Sequence, residues 1–339
     1  ERWLTQQEMA SADVLPRSNC FLGMHAKGFF EKVVDLQECF LIHPIAAKIL
    51  TSVRNIARES GVPVYTTKDH SGFWRFLVIR CSTNTADLMV NVITSKYDEA
   101  ISQTIRQRLT ADFPQISTLL HSTTTNKANV AFTEKEHVLT GQGKIIERLG
   151  AYRFEISANS FFQTNTKQAE RLYQVAAGFA DFSGNETVYD LYCGAGTISL
   201  FVSALVKKVV GFEVIESAIR DGRRNAELNQ VKNCEFVAGD LKDALQDRDQ
   251  VVRLYGPPDV MIIDPPRAGM HPKTVQAVLR LQPDKIVYVS CNPATLARDV
   301  KDLCARDYVL VKVQPVDMFP HTAHIEAVAL LQRKAPATI

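Results

Sequence analysis

Residues 187–199 read Thr187-Val-Tyr-Asp190-Leu-Tyr-Cys-Gly194-Ala-Gly196-Thr197-Ile-Ser199, an apolar strand that runs into a glycine turn and out into a helix. In an open α/β sheet such a turn lies at the carboxyl edge of a strand, where glycine lets a ligand approach the backbone. The same rhythm continues downstream, with apolar β-forming runs at 208–213, 234–238, 259–264 and 285–290 and helical stretches between them. Strands alternating with helices imply right-handed crossovers and a parallel sheet covered on both faces. The last two runs, 308–316 and 325–332, are separated only by a short loop with Pro320 and two histidines. With no helix to cross over, they are expected to pair antiparallel as a hairpin.

A Rossmann-like α/β parallel sheet that ends in an antiparallel hairpin is the outline of the class I methyltransferase fold, and it is assigned here to residues 151–339. Residues 1–150 have another character. Ile45, Ile49, Leu50, Val53 and Ile56 recur at spacings of three and four, which predicts a helix over 43–60. Strand-like runs follow at 62–67, 73–81, 88–94 and 117–122, with a second helix over about 98–109. The expectation is a smaller α+β domain with an antiparallel sheet. The polar segment 123–150 carries Gly141, Gly143 and Gly150, and the boundary is placed near Gly150.

Composition narrows the class. The 46% apolar and 22% charged residues describe an ordinary globular chain, and no run approaches the length of a membrane span. A cytoplasmic protein, probing no membrane, is expected. Seven cysteines without any C-x-x-C spacing read as free thiols. A net charge of +2 does not by itself announce a nucleic-acid partner. The chain opens at Glu1 and not at methionine, so it reads as a fragment of something longer.

The turn Gly194-Ala-Gly196 is a nucleotide-site candidate, although two glycines after a strand also make an ordinary tight turn. Glu213 ends the next strand, from which a carboxylate accepts hydrogen bonds from two ribose hydroxyls. Ser199 stands where a dinucleotide fingerprint has its third glycine, and S-adenosylmethionine has no pyrophosphate to seat on the helix N-terminus. The methyl donor is therefore the favoured ligand. Asp240 and Asp264 close the two following strands at the same edge.

The fifth strand ends in Ser290-Cys291-Asn292-Pro293, where a thiol faces the ligand crevice and proline stops the strand abruptly. A methyltransferase needs a cysteine when the acceptor is a poor nucleophile. Carbon 5 of a pyrimidine is one, and thiolate addition to carbon 6 makes it nucleophilic. A base must then remove the carbon 5 proton, and Glu326, at the start of the last strand, is the candidate, although on the residue alone a glutamate on a strand surface is the commoner case. A zinc site from His321, His324 and Glu326 is disfavoured, since metal-binding histidines are commoner at i and i+4 of a helix, and no metal is expected.

Asp264-Pro-Pro-Arg267-Ala-Gly, Ser290-Cys-Asn-Pro-Ala-Thr-Leu-Ala-Arg298-Asp and His324-Ile-Glu326-Ala-Val closely resemble the RNA uracil-5 methyltransferases, which make 5-methyluridine in tRNA and rRNA. The resemblance covers about 150–335 strongly and the first half loosely. It implies Cys291 as nucleophile and Glu326 as base, with Gln163, Tyr192, Thr197, Glu213, Asp240 and Asp264 in the cofactor pocket. It implies an RNA substrate, with residues 1–150 as an RNA-contacting domain, and a monomer is expected. Family members usually begin with a small β-barrel, and many hold an iron–sulfur cluster on four cysteines. Cys39 resembles the fourth ligand, but the upstream three are absent from this chain and one thiolate cannot hold a cluster, so none is expected. Two alternatives stay open: an RNA cytosine-5 methyltransferase with the same adduct logic, and a non-catalytic RNA-binding module. Phe73-Trp74-Arg75-Phe76 is a candidate for stacking on bases, although alternating aromatics in a strand more often belong to a core.

Overall fold

The computed structural model describes residues 20–26, 28, 29 and 32–335, so the first nineteen residues of the segment assigned to the first domain lie outside the described residues. The chain divides into two compact units, 1–146 with 157–159, and 147–156 with 160–339.

In the first unit, β1 (Gly23–His25) and β2 (Val33–Asp35) pair as a short ribbon ahead of α1 (Pro44–Glu59). Pro44 at the first turn and the His43 side chain, which accepts the Ile45 amide, start that helix. Next come β3 (Trp74–Cys81), β4 (Leu88–Thr94), α2 (Glu99–Asp112), β5 (Thr118–Thr123) and β6 (Lys135–Thr140), with sheet order β3-β4-β5-β6. The sheet is mixed and not antiparallel throughout, because α2 carries the chain back over it and makes β4 and β5 parallel. Residues 62–67 contribute only isolated bridges, Val64 with Trp74 and Thr66 with Ser71. The polar stretch 123–150 holds β6 and β7 (Lys144–Leu149), whose half-exposed faces hide the alternation that marks a strand. Ile49, Val53 and Ile56 of α1 pack with Ile105 and Leu109 of α2 against Val90, Val92 and Leu119.

The division between units falls within the hairpin of β7 and β8 (Tyr152–Ser157). The second unit continues with α3 (Thr166–Ala180), β9 (Thr187–Leu191), α4 (Thr197–Ser203), β10 (Lys208–Glu213), α5 (Glu216–Leu228) and β11 (Cys234–Ala238). Then follow α6 (Leu241–Ala244), α7 (Arg248–Tyr255), β12 (Val260–Ile263), α8 (Pro272–Leu281), β13 (Lys285–Ser290), α9 (Pro293–Cys304), β14 (Tyr308–Val316) and β15 (Glu326–Arg333). The seven strands are ordered β11-β10-β9-β12-β13-β15-β14. The first five are parallel, and β15 runs antiparallel to both β13 and β14. The fold is the α/β class I methyltransferase sheet with its C-terminal hairpin. Val188, Val210, Ile262 and Val287 are fully buried, as expected for strands covered on both faces. The order reverses between β9 and β12, so a crevice opens at the carboxyl ends of these strands.

Candidate active site

Between β9 and α4 the backbone takes three positive φ values, 65° at Tyr192, 53° at Gly194 and 77° at Gly196. A side chain at Gly196 would place its Cβ 2.7 Å from the Phe236 ring, so only glycine fits there. At Gly194 a Cβ would meet nothing within 4 Å, which means that this backbone borders open space. Glu213, at the end of β10, is 9% exposed and braces the turn. Its Oε2 accepts the Gly194 amide at 3.1 Å and its Oε1 accepts the Ile215 amide at 3.0 Å. Each oxygen keeps acceptor capacity beyond its one amide, so the residues fit a ligand with vicinal hydroxyls beside an open glycine backbone.

The other expected cofactor residues ring the same edge. Asp240 caps α6 by accepting the Lys242 amide at 3.1 Å, and the Lys242 ammonium lies 2.8 Å from it; these contacts hold its carboxyl below the usual range. The Thr197 hydroxyl meets the Tyr173 hydroxyl at 3.1 Å. The Tyr192 ring packs on the sheet core, and burial raises its hydroxyl pKa while a bond to Thr274 opposes that rise. Gln163 is half-buried in the loop before α3. That loop is anchored by Asn165, whose Nδ2 donates to the Met318 carbonyl at 2.9 Å. Asp190 lies beneath the turn, fully buried, where it accepts the Ser199 hydroxyl at 2.5 Å and burial pushes its carboxyl up to about 7.

Strand register assembles a second group. Ser290 of β13 pairs with Ala327 of β15, which brings Cys291, one residue past β13, beside Glu326, the first residue of β15. Glu326 is 8% exposed, and burial raises its carboxyl while the Arg267 guanidinium pulls it back down. The Arg267 guanidinium also acts on the Cys291 thiol, whose pKa it lowers, and lies 3.0 Å from His324 Nδ1. Since a guanidinium only donates, Nδ1 of His324 is the acceptor and its proton sits on Nε2. Burial raises the Cys291 thiol pKa, Glu326 and Asp264 raise it further, and Arg267 opposes them. Asp264 is pushed up to about 8 by burial, then by Glu326 and Asp190. Expected in the cofactor pocket, it therefore also stands within the electrostatic reach of the thiol.

Arg267 and His324 are absent from the residues singled out as sites, although both stand inside quoted motifs. Their signal was present, but charged loop residues are ordinarily solvated, and only the register of β13 with β15 shows what they face. Cys193, inside the glycine turn, is 5% exposed, and burial with Asp190 and Glu213 nearby drives its thiol well above the ordinary range. Phe73 and Trp74 are 2% and 8% exposed, so they belong to the core of the first unit and offer no stacking face. Among the described residues no three His, Cys, Asp or Glu side chains group as metal ligands.

A parallel sheet with this strand order, a glycine turn after its first strand and an acid after its second defines a class I, S-adenosylmethionine-type methyltransferase fold. The chain belongs to the tRNA (uracil-5-)-methyltransferase family, whose pattern matches residues 75–334. An RNA methyltransferase of Chlorobaculum tepidum is 47% identical over 335 residues, covering 98% of this chain and 69% of the relative. One from Bacteroides thetaiotaomicron is 41% identical over 336 residues, covering 98% of this chain and 73% of the relative. The crystal structure of Pyrococcus abyssi tRNA (uracil-54, C5)-methyltransferase in complex with S-adenosyl-L-homocysteine superposes with a TM-score of 0.73 at 33% identity, over 88% of this chain and 70% of that one.

Proposed function

We propose that this protein transfers a methyl group from S-adenosylmethionine to carbon 5 of a specific uridine in structured RNA, tRNA or rRNA, with Cys291 as nucleophile and Glu326 as base. The observation that carries this reading is the placement of a half-exposed thiol beside a buried carboxylate, with one guanidinium against both. When bound, the donor supplies an electrophilic methyl on a sulfonium. Glu213, the Gly194 backbone, Asp240, Thr197, Tyr192 and Gln163 are the residues that would hold it.

Cys291, as the thiolate, forms the bond to carbon 6 of the uracil, and the displaced electron pair moves to the oxygen on carbon 4. Arg267 offsets the acids that would otherwise keep the thiol protonated. Asp264, expected in the cofactor pocket, joins the residues that would hold the donor, and burial, Glu326 and Asp190 raise its carboxyl pKa. Once carbon 5 has taken the methyl, Glu326 removes its proton. The pair left on carbon 5 re-forms the double bond and expels the Cys291 thiolate. Its burial-raised pKa makes Glu326 a better base than a solvated glutamate.

The target base must leave its stack to reach the thiol. The first unit is assigned to RNA contact, and the chain is taken to work alone on its RNA in the cytoplasm. Among the described residues no helix is long and apolar enough to cross a membrane. The test is incubation with S-adenosylmethionine and RNA hairpins that differ only in an unpaired uridine or cytidine, followed by nucleoside analysis. Appearance of 5-methyluridine from the uridine hairpin is expected. Methylcytidine alone would transfer the mechanism to cytosine, and binding without any methylated product would leave a non-catalytic module.

A further inference from the structure

We propose that the first two turns of α9 are a positioning device for Arg267, holding its loop by backbone atoms so that the guanidinium is presented to the Cys291 thiol. The inference rests on Cys291 being the nucleophile. In Asn292-Pro-Ala-Thr295-Leu-Ala-Arg298-Asp299, residues spaced by three and four share the helix face toward the loop 267–270. Asn292 Nδ2 donates to the Arg267 carbonyl at 3.0 Å, and Thr295 Oγ1 shares its one proton between that carbonyl at 3.2 Å and the Asn292 carbonyl at 3.1 Å. Arg298 Nη2 donates to the carbonyls of Ala268 at 2.9 Å and Met270 at 3.3 Å. Asp299, 1% exposed, accepts the Met270 amide at 2.8 Å and the Tyr288 hydroxyl at 2.6 Å.

Each residue of this loop except Gly269 is thus held by a side chain from α9. Gly269 has φ +76°, and a Cβ there would fall 2.5 Å from Arg298 Nη2 and 2.7 Å from Asp299 Oδ2. Tyr288 stands on β13, the strand that delivers Cys291, so Asp299 ties strand, helix and loop together. None of the four α9 residues bonds to the thiol. An arginine side chain has four rotatable bonds and loses rotamer entropy when it is fixed. Fixing its backbone from the helix that begins beside the nucleophile, with His324 Nδ1 at 3.0 Å from the guanidinium, limits that search.

The charged groups that face the thiol are Arg267 and Asp264 from the loop after β12 and Glu326 from β15. The test is the pH dependence of Cys291 alkylation by iodoacetamide, followed on its own peptide by mass spectrometry, in the whole chain without RNA or methyl donor. Arg267→Gln should raise the midpoint by about one unit. Thr295→Val and Asp299→Asn should raise it by roughly half a unit, and Thr295→Ser should restore the parent value. In Arg267→Gln with Thr295→Val the second substitution should add nothing, because its effect runs through Arg267. Thr295→Val is nearly isosteric, and its thermal unfolding confirms an intact fold even if Asp299→Asn does not fold. Parent midpoints in folded Thr295→Val beside a raised one in Arg267→Gln, additive shifts in the double variant, or no shift in Arg267→Gln would each overturn the proposal. Failure to methylate uridine would instead sink the proposed function and leave this result standing.

Discussion

Strands β9 and β13 flank β12 in one sheet, and each hands the chain to a cysteine at the carboxyl edge, yet the two thiols differ in exposure and in having a cation nearby. Cys193 is buried within the glycine turn, with Asp190 and Glu213 as its charged neighbours, so both burial and charge keep it protonated. Cys291 is half-buried, and although burial, Glu326 and Asp264 raise its thiol pKa, the Arg267 guanidinium opposes them. A sheet edge supplies the position, and the reactivity comes from exposure and one cation. The turn around Cys193 is instead built to hold backbone in an open shape for a ligand, which a reactive thiol would not serve.

The hardest test of this contrast is removal of each sulfur. Cys291→Ala should lose methyl transfer by about a thousandfold or more, and Cys193→Ala should stay within about tenfold of the parent. The reverse order in a radiolabelled methyl-transfer assay would refute the assignment. A second test separates nucleophile from base. Glu326→Gln should stall after the methyl has moved, so denaturing electrophoresis should show a protein–RNA species that carries the donor methyl and vanishes with Cys291→Ala. Multiple turnover by Glu326→Gln with no trapped species would mean that another group takes the proton.

Further from the thiol, Glu213→Ala removes the brace of the Gly194 turn together with the expected ribose acceptor. Charge-assisted hydrogen bonds of this kind are worth about 1.5–3 kcal/mol, so binding of S-adenosylmethionine should weaken by at least about tenfold in calorimetry. Undiminished affinity in a folded variant would take Glu213 out of the cofactor site.

The effect furthest from the chemistry, and one of stability alone, lies in the first unit. His121 is fully buried between the Thr94 hydroxyl, 2.8 Å from Nε2, and the Ser102 hydroxyl, 2.5 Å from Nδ1, and burial pushes its pKa down to about 4. A histidine with a lower pKa folded than unfolded contributes fully above about pH 6.5 and loses that contribution as pH falls toward 4. The loss is about 1.4 kcal/mol per pH unit across that window. Urea unfolding between pH 7 and pH 5 should therefore show a slope that flattens by about one proton in His121→Gln. An unchanged slope would mean that the site protonates without cost.

The central strands of the second unit were legible because they are buried on both faces, and the edge strands β11 and β14 were legible from their β-forming runs; β9, β10, β11, β13 and β14 have the bounds expected from residues alone. The chemistry of Cys291 and Glu326 could be argued from residue types and from where the strands end. In the first unit the run at 62–67 is no strand and the polar run before Gly150 contains two, since half-exposed pairing leaves little periodicity to read. Tertiary structure alone decided that β15 inserts between β13 and β14, and with that insertion which carboxylate faces the thiol. It also decided that Arg267 joins them and that Cys193 is sealed away. Local sequence sets what each segment prefers to be, but burial and charge depend on residues distant in the chain, and these establish which of two similar thiols can act.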